Sequence, residues 1–120
     1  MPGQPPVTQA VIYHNPRCSK SRQALQVLRD RGVEPTVVKY LDTPPDVATL
    51  RRLVADAGLQ VREAVRTGEK EYAELGLADA DDEAMLAAMA AHPRLLQRPF
   101  VVTDRGTRLA RPTEALDEIL

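Results

Sequence analysis

Apolar positions change their period along this chain, and each change marks an element. AVIYH, residues 10–14, is a short β-branched and aromatic run suited to a buried strand, and Asn15-Pro16 ends it. From Ser19 to Arg31, Ala24, Leu25, Val27 and Leu28 recur at helical spacing, and Gly32 supplies a C′ stop. TVVKYL, residues 36–41, predicts a second strand. Strand, helix and strand in this order read as a parallel βαβ unit.

The middle of the chain is helical. Asp42-Thr43-Pro44-Pro45 predicts a helix start, with Leu50, Leu53, Val54 and Ala57 on one face before Gly58. Short helical pieces are expected near 61–67 and 70–75. A fuller helix over 81–91 carries Met85, Leu86 and Met89 and stops at His92-Pro93. PFVVT (99–103) and TRLAR (107–111) then flank Asp104-Arg105-Gly106 as a hairpin, and Pro112 opens a final amphipathic helix through Ala115, Leu116 and Ile119. This order is the thioredoxin-like plan: an α/β fold with a four-stranded mixed sheet and a helical insertion, about 43–97, between strands two and three. A single domain over 9–120 is expected, after a loose tail over 1–8 that holds Pro2, Pro5 and Pro6.

Composition narrows the function classes. A length of 120 residues suits one domain, and 43% hydrophobic with 28% charged residues is a globular balance. Sixteen Lys+Arg against seventeen Asp+Glu leave a net charge of −1, which removes the footprint of a nucleic-acid binder. No apolar run approaches the roughly 18 residues of a membrane span. MPGQPPVTQA has neither a basic n-region nor an apolar h-region, so no secretory signal is expected, and a lone thiol points to the cytoplasm. One cysteine excludes an internal disulfide, a CxxC pair and a multi-cysteine metal centre; with two unrelated histidines it makes no ligand set, so no metal is expected.

That cysteine, Cys18, falls between the first strand and the first helix. The first turn of a helix has unpaired N–H groups and a partial positive charge, both of which favour a thiolate. Arg17, Lys20 and Arg22 add cationic neighbours, and the Ser19 and Ser21 hydroxyls are candidate donors to sulfur. Such surroundings lower a cysteine pKa from about 8.5 to roughly 3.5–7.5. A lone cysteine is commonly an inert buried hydrophobe, but the polar and cationic neighbours favour a nucleophile. A phosphatase-type loop would need arginine six positions on, where Ala24 stands. Ser21 likewise rules out dithiol exchange. A single-cysteine enzyme must be reset by an external thiol.

His14 either tunes that thiol or simply ends its strand with a packed ring, and the sequence leaves both readings open. Thirteen of the sixteen basic residues are arginine, whose fork fits tetrahedral oxyanions. Arg98 precedes Pro99 just before strand three, and Arg111 precedes Pro112 just after strand four. In a thioredoxin-like fold the loop before strand three lies beside the helix-one cysteine, with its X-Pro bond usually cis. Spacing alone does not decide among Arg66, Arg98 and Arg111.

Over residues 10–119 the chain resembles the glutaredoxin-linked arsenate reductases of the thioredoxin superfamily. YHNPRCSKSR resembles their active-site segment, EPTVVKYLDTPP the exit of strand two, and RPFVVTDRGTRLARP the closing hairpin. NPRCSKSR also resembles a shorter, less characterised branch. The resemblance implies that Cys18 attacks arsenate to form a covalent adduct, that His14 and Ser21 favour the thiolate, and that Arg66, Arg98 and Arg111 hold the oxyanion. It further implies glutathione as co-substrate, glutaredoxin as partner and no bound cofactor. A monomer is expected. Two alternatives remain: a thiol oxidoreductase acting on another substrate, and a regulatory module binding RNA polymerase. Regulators of that kind commonly carry a CxxC switch, which Ser21 precludes.

Overall fold

The computed structural model describes residues 7–120. Its four strands are β1 (Ala10–His14), β2 (Thr36–Lys39), β3 (Phe100–Thr103) and β4 (Gly106–Leu109), in one sheet of order β2-β1-β3-β4. β3 runs antiparallel to both neighbours, with Ile12 opposite Val101 and Val101 opposite Arg108. The sheet is mixed and the fold thioredoxin-like, as the order of elements predicts. The α-helices are α1 (Ser19–Asp30), α2 (Val47–Asp56), α3 (Lys70–Glu74) and α4 (Asp82–Ala91).

The chain divides into two compact units, Met1–Val38 with Arg98–Leu120, and Lys39–Gln97. In the first, Ile12, Ala24, Leu28, Val101, Leu116 and Ile119 form a buried core that joins β1, α1, β3 and the C-terminal segment. α1 ends as its glycine predicts. Gly32 takes φ +79°, and Val33 N–H returns to Leu28 O at 2.9 Å, closing the helix with a Schellman motif. The Arg98–Pro99 and Arg111–Pro112 peptide bonds are both cis.

The second unit packs Leu50, Leu53, Val54, Met85, Leu86 and Met89 as buried side chains of α2 and α4. An isolated bridge pairs Val65 with Leu96, an element the periodicity does not announce.

Several boundaries differ from expectation for local reasons. β2 stops at Lys39 instead of residue 41, because the N–H groups of Asp42 and Thr43 both turn back to Lys39 O at 2.9 Å. α2 starts four residues after the predicted signal, since Asp46 rather than Asp42 supplies the cap, accepting from Thr49 N–H at 2.8 Å. The closing segment, Thr113–Glu118, is a 3-10 helix rather than an α-helix, with Pro112 as its N-cap. The tail expected over 1–8 falls largely on residues 1–6, outside the described residues.

Thr8 and Gln9 are tied down. Asp104, in the β3–β4 turn, accepts from Thr8 Oγ1 at 2.7 Å, Gln9 N–H at 2.8 Å and Thr8 N–H at 3.2 Å. These bonds, the Thr8 hydroxyl first, hold the Asp104 carboxyl down to about 2. An acid depressed on folding stabilises the fold above its unfolded pKa and loses that contribution as pH falls through the folded one. Amide shifts of Thr8 and Gln9, followed by NMR, are therefore expected to titrate near pH 2 rather than near ~3.9, and not at all in Asp104→Asn. A midpoint near 3.9 would remove the clamp.

Candidate active site

β1 delivers the chain to a tight turn. Asn15 through Cys18 form a β-turn in which Cys18 N–H donates to Asn15 O at 3.0 Å, with Pro16 at the second position, where its fixed φ is suited. Cys18 then adopts an extended conformation, φ −95° and ψ 123°, as the N-cap of α1, and its carbonyl accepts from Arg22 N–H at 3.0 Å. A side chain at N-cap lies against the unpaired N–H groups of the second and third helical residues. Here those residues are Lys20 and Ser21, and the side chain is a thiol.

Its acidity follows from that placement. Burial, to 9% exposure, pushes the Cys18 thiol up. The effect is outweighed by Ser21 N–H, by the Arg98 guanidinium through hydrogen bond and charge, and by Lys20 N–H, which together bring the pKa below the usual thiol value. The cation acting on sulfur is thus Arg98, from the segment before β3. Arg17, Lys20 and Arg22 are exposed, and Arg22 Nη1 is engaged by Pro16 O at 2.9 Å.

His14 and Ser21 are brought together. Ser21 is fully buried and His14 is 6% exposed; Ser21 Oγ and His14 Nδ1 share a hydrogen bond of 2.6 Å, and Ser21 Oγ also accepts Asn15 N–H at 3.0 Å. The Ser21 hydroxyl therefore serves the histidine and the turn, not the sulfur as the sequence suggested. Ser21 acts on the thiol through its main chain.

Arg111 follows β4, and its Nη1 donates to Arg98 O at 3.2 Å, so Cys18, Arg98 and Arg111 are linked within the first unit. Arg98 Nε is buried without an acceptor. Arg66 belongs to the second unit, where it is half-buried and its N–H donates to Leu95 O at 2.7 Å. Sequence reasoning missed Asn15, a buried polar residue that bonds on both sides of the turn. Its position just before Pro16 was the available signal, since asparagine ahead of proline favours turn initiation. Among the described residues no cluster of three His, Cys, Asp or Glu could hold a metal, and no helix is long and apolar enough to cross a membrane.

A cysteine at a helix N-cap does not by itself decide a family; the whole chain does. Residues 13–119 match the ArsC family. This chain belongs to that family. As an ArsC protein it is 52% identical over 111 residues to an arsenate reductase of Rhizobium meliloti (strain 1021), covering 91% of this chain and 79% of the relative. It is 50% identical over 115 residues to the uncharacterized protein YfgD of Escherichia coli (strain K12), covering 93% and 97%. The solved structure of an arsenate reductase from Vibrio cholerae resembles this ArsC protein with a TM-score of 0.90 at 48% identity, covering 94% of this chain and 98% of that one.

Proposed function

We propose that this protein reduces arsenate to arsenite, with Cys18 as its single nucleophile. The observation that carries the reading is the Arg98 guanidinium acting on the Cys18 sulfur at a helix N-terminus, with Arg111 bonded to the same segment. A thiolate approaching an anion needs cationic screening, and a helix N-terminus plus arginine supplies it. ArsC relatives named as arsenate reductases support the same substrate. Arg66 joins the oxyanion ligands on family resemblance alone.

In the proposed cycle the Cys18 thiolate attacks arsenic(V), forming an S–As bond while an As–O bond breaks and one arsenate hydroxyl takes a proton from solvent and leaves as water. Glutathione sulfur then attacks the Cys18 sulfur. The S–As bond breaks, its electron pair stays on arsenic, and arsenite departs, leaving a Cys18–glutathione disulfide. Glutaredoxin takes the glutathione sulfur by thiol–disulfide exchange and returns Cys18 to the thiolate. No bound cofactor is required, and a cytoplasmic setting supplies both reductants.

The test is NADPH oxidation coupled through glutathione reductase, glutathione and a glutaredoxin. Loss of NADPH that requires arsenate and stops when either thiol reductant is omitted is expected. A second reading, a thiol oxidoreductase for another substrate, has support in the similarity to YfgD, a relative without a named activity. No arsenate-dependent signal from a protein whose Cys18 is still alkylated rapidly at neutral pH would replace the first reading with the second.

A further inference from the structure

We propose that Asn15 is a positioning residue for Cys18, its side-chain carbonyl fixing the turn that delivers the cysteine to the end of α1. Asn15 is only 9% exposed, and all three of its bonds act on that turn. Oδ1 accepts Arg17 N–H at 3.0 Å, closing an Asx-turn two residues ahead. The main-chain oxygen accepts Cys18 N–H at 3.0 Å, closing the β-turn around it, and the N–H donates to Ser21 Oγ at 3.0 Å. One residue thus joins the end of β1, the turn and the first turn of the helix.

The nesting has a chemical consequence. With Arg17 N–H held by Oδ1 and Cys18 N–H by the main chain, the turn is closed, and Cys18 is held at the N-cap of α1, where the N–H groups of Ser21 and Lys20 lower its thiol together with Arg98. An aliphatic residue at position 15 supplies no acceptor for Arg17, so the turn can open and carry Cys18 away from the cap. The charged and titratable groups around the sulfur are Arg98 from the segment before β3, Lys20 on α1, and His14 at the end of β1 acting through Ser21. None of them is altered by substitution at position 15. Asn15 touches no substrate atom; it acts through the cysteine.

The experiment is the pH dependence of Cys18 alkylation by iodoacetamide in the wild type, Asn15→Ala and Asn15→Ser. The proposal rests on Cys18 as the reacting group, and because no arsenate is present it stands or falls apart from the reductase reading. Asn15→Ala is expected to move the midpoint up by about one pH unit, slowing alkylation about tenfold below it. Asn15→Ser, whose hydroxyl makes the same turn more weakly, should lie between the two. A purely structural role would lower the thermal midpoint and leave the titration unmoved, and that result in folded Asn15→Ala overturns the proposal. If Asn15→Ala does not fold, amide exchange of Arg17 in the wild type decides. Protection supports the Asx-turn, and exchange at the rate of an open amide removes it.

Discussion

Cys18→Ser is expected to abolish arsenate-dependent NADPH oxidation while the protein stays folded. The proposed nucleophile is the thiolate, and the surroundings that favour it cannot ionise a serine hydroxyl near neutral pH. Serine is nevertheless among the best N-cap residues, and position 18 is the N-cap of α1. Its Oγ can accept from the same N–H groups that now face sulfur. The thermal midpoint should therefore hold or rise, so that lost turnover cannot be ascribed to unfolding. Measured turnover in Cys18→Ser above the arsenate-free background would end the single-nucleophile mechanism.

Arg98→Ala should have the next largest effect, and it should be visible in two independent measurements. Removing one preorganised donor from an oxyanion site typically costs about 2.7–4 kcal/mol of barrier, so turnover is expected to fall about 10²–10³-fold. The alkylation profile of Cys18 should also move to higher pH, because burial would then be opposed only by the N–H groups of Ser21 and Lys20. The sign extends to stability. An acid whose pKa is lowered by folding stabilises the fold above the unfolded pKa and loses that contribution as pH falls through the folded one. Wild type should thus gain stability towards alkaline pH across the thiol titration, and Arg98→Ala should gain less. Arg98→Lys separates the two roles: it keeps the charge on sulfur and loses the planar fork. We expect near-normal alkylation with impaired arsenate turnover. Normal turnover in both variants would remove Arg98 from the reaction.

What the sequence revealed follows from how local each signal is. The helix over Ala24 to Leu28, its glycine stop and the position of Cys18 at its start rest on residues a few positions apart, and the structure has them as read. The closing segment deceived. TEALDE has good helix formers, yet six residues make a poor α-helix, and Ile119 O is drawn to the buried Thr103 hydroxyl at 2.7 Å. The start of α2 was ambiguous because two aspartates precede it. Only Asp46 has a free amide three residues ahead, while the chain after Lys39 folds back on itself.

The wiring of the candidate site was not legible in the sequence. Cationic residues beside Cys18 in sequence look like its partners, but Arg22 is engaged by Pro16 O. Ser21 lowers the thiol through its amide, while its hydroxyl meets His14 Nδ1 and accepts Asn15 N–H. Which group of a residue does the work depends on its rotamer, and periodicity says nothing about rotamers.

Cys18 and Arg98 stand 80 positions apart in the chain. The Arg98 contribution to the acidity of the sulfur therefore comes only after β3 has been added alongside β1, however early α1 forms. Until then a growing chain can draw on the N–H groups of Ser21 and Lys20 alone, and the guanidinium is the last of the three influences to arrive. The pH dependence of thiol reactivity is then a gauge of completed tertiary assembly, readable on a folding chain without any added label.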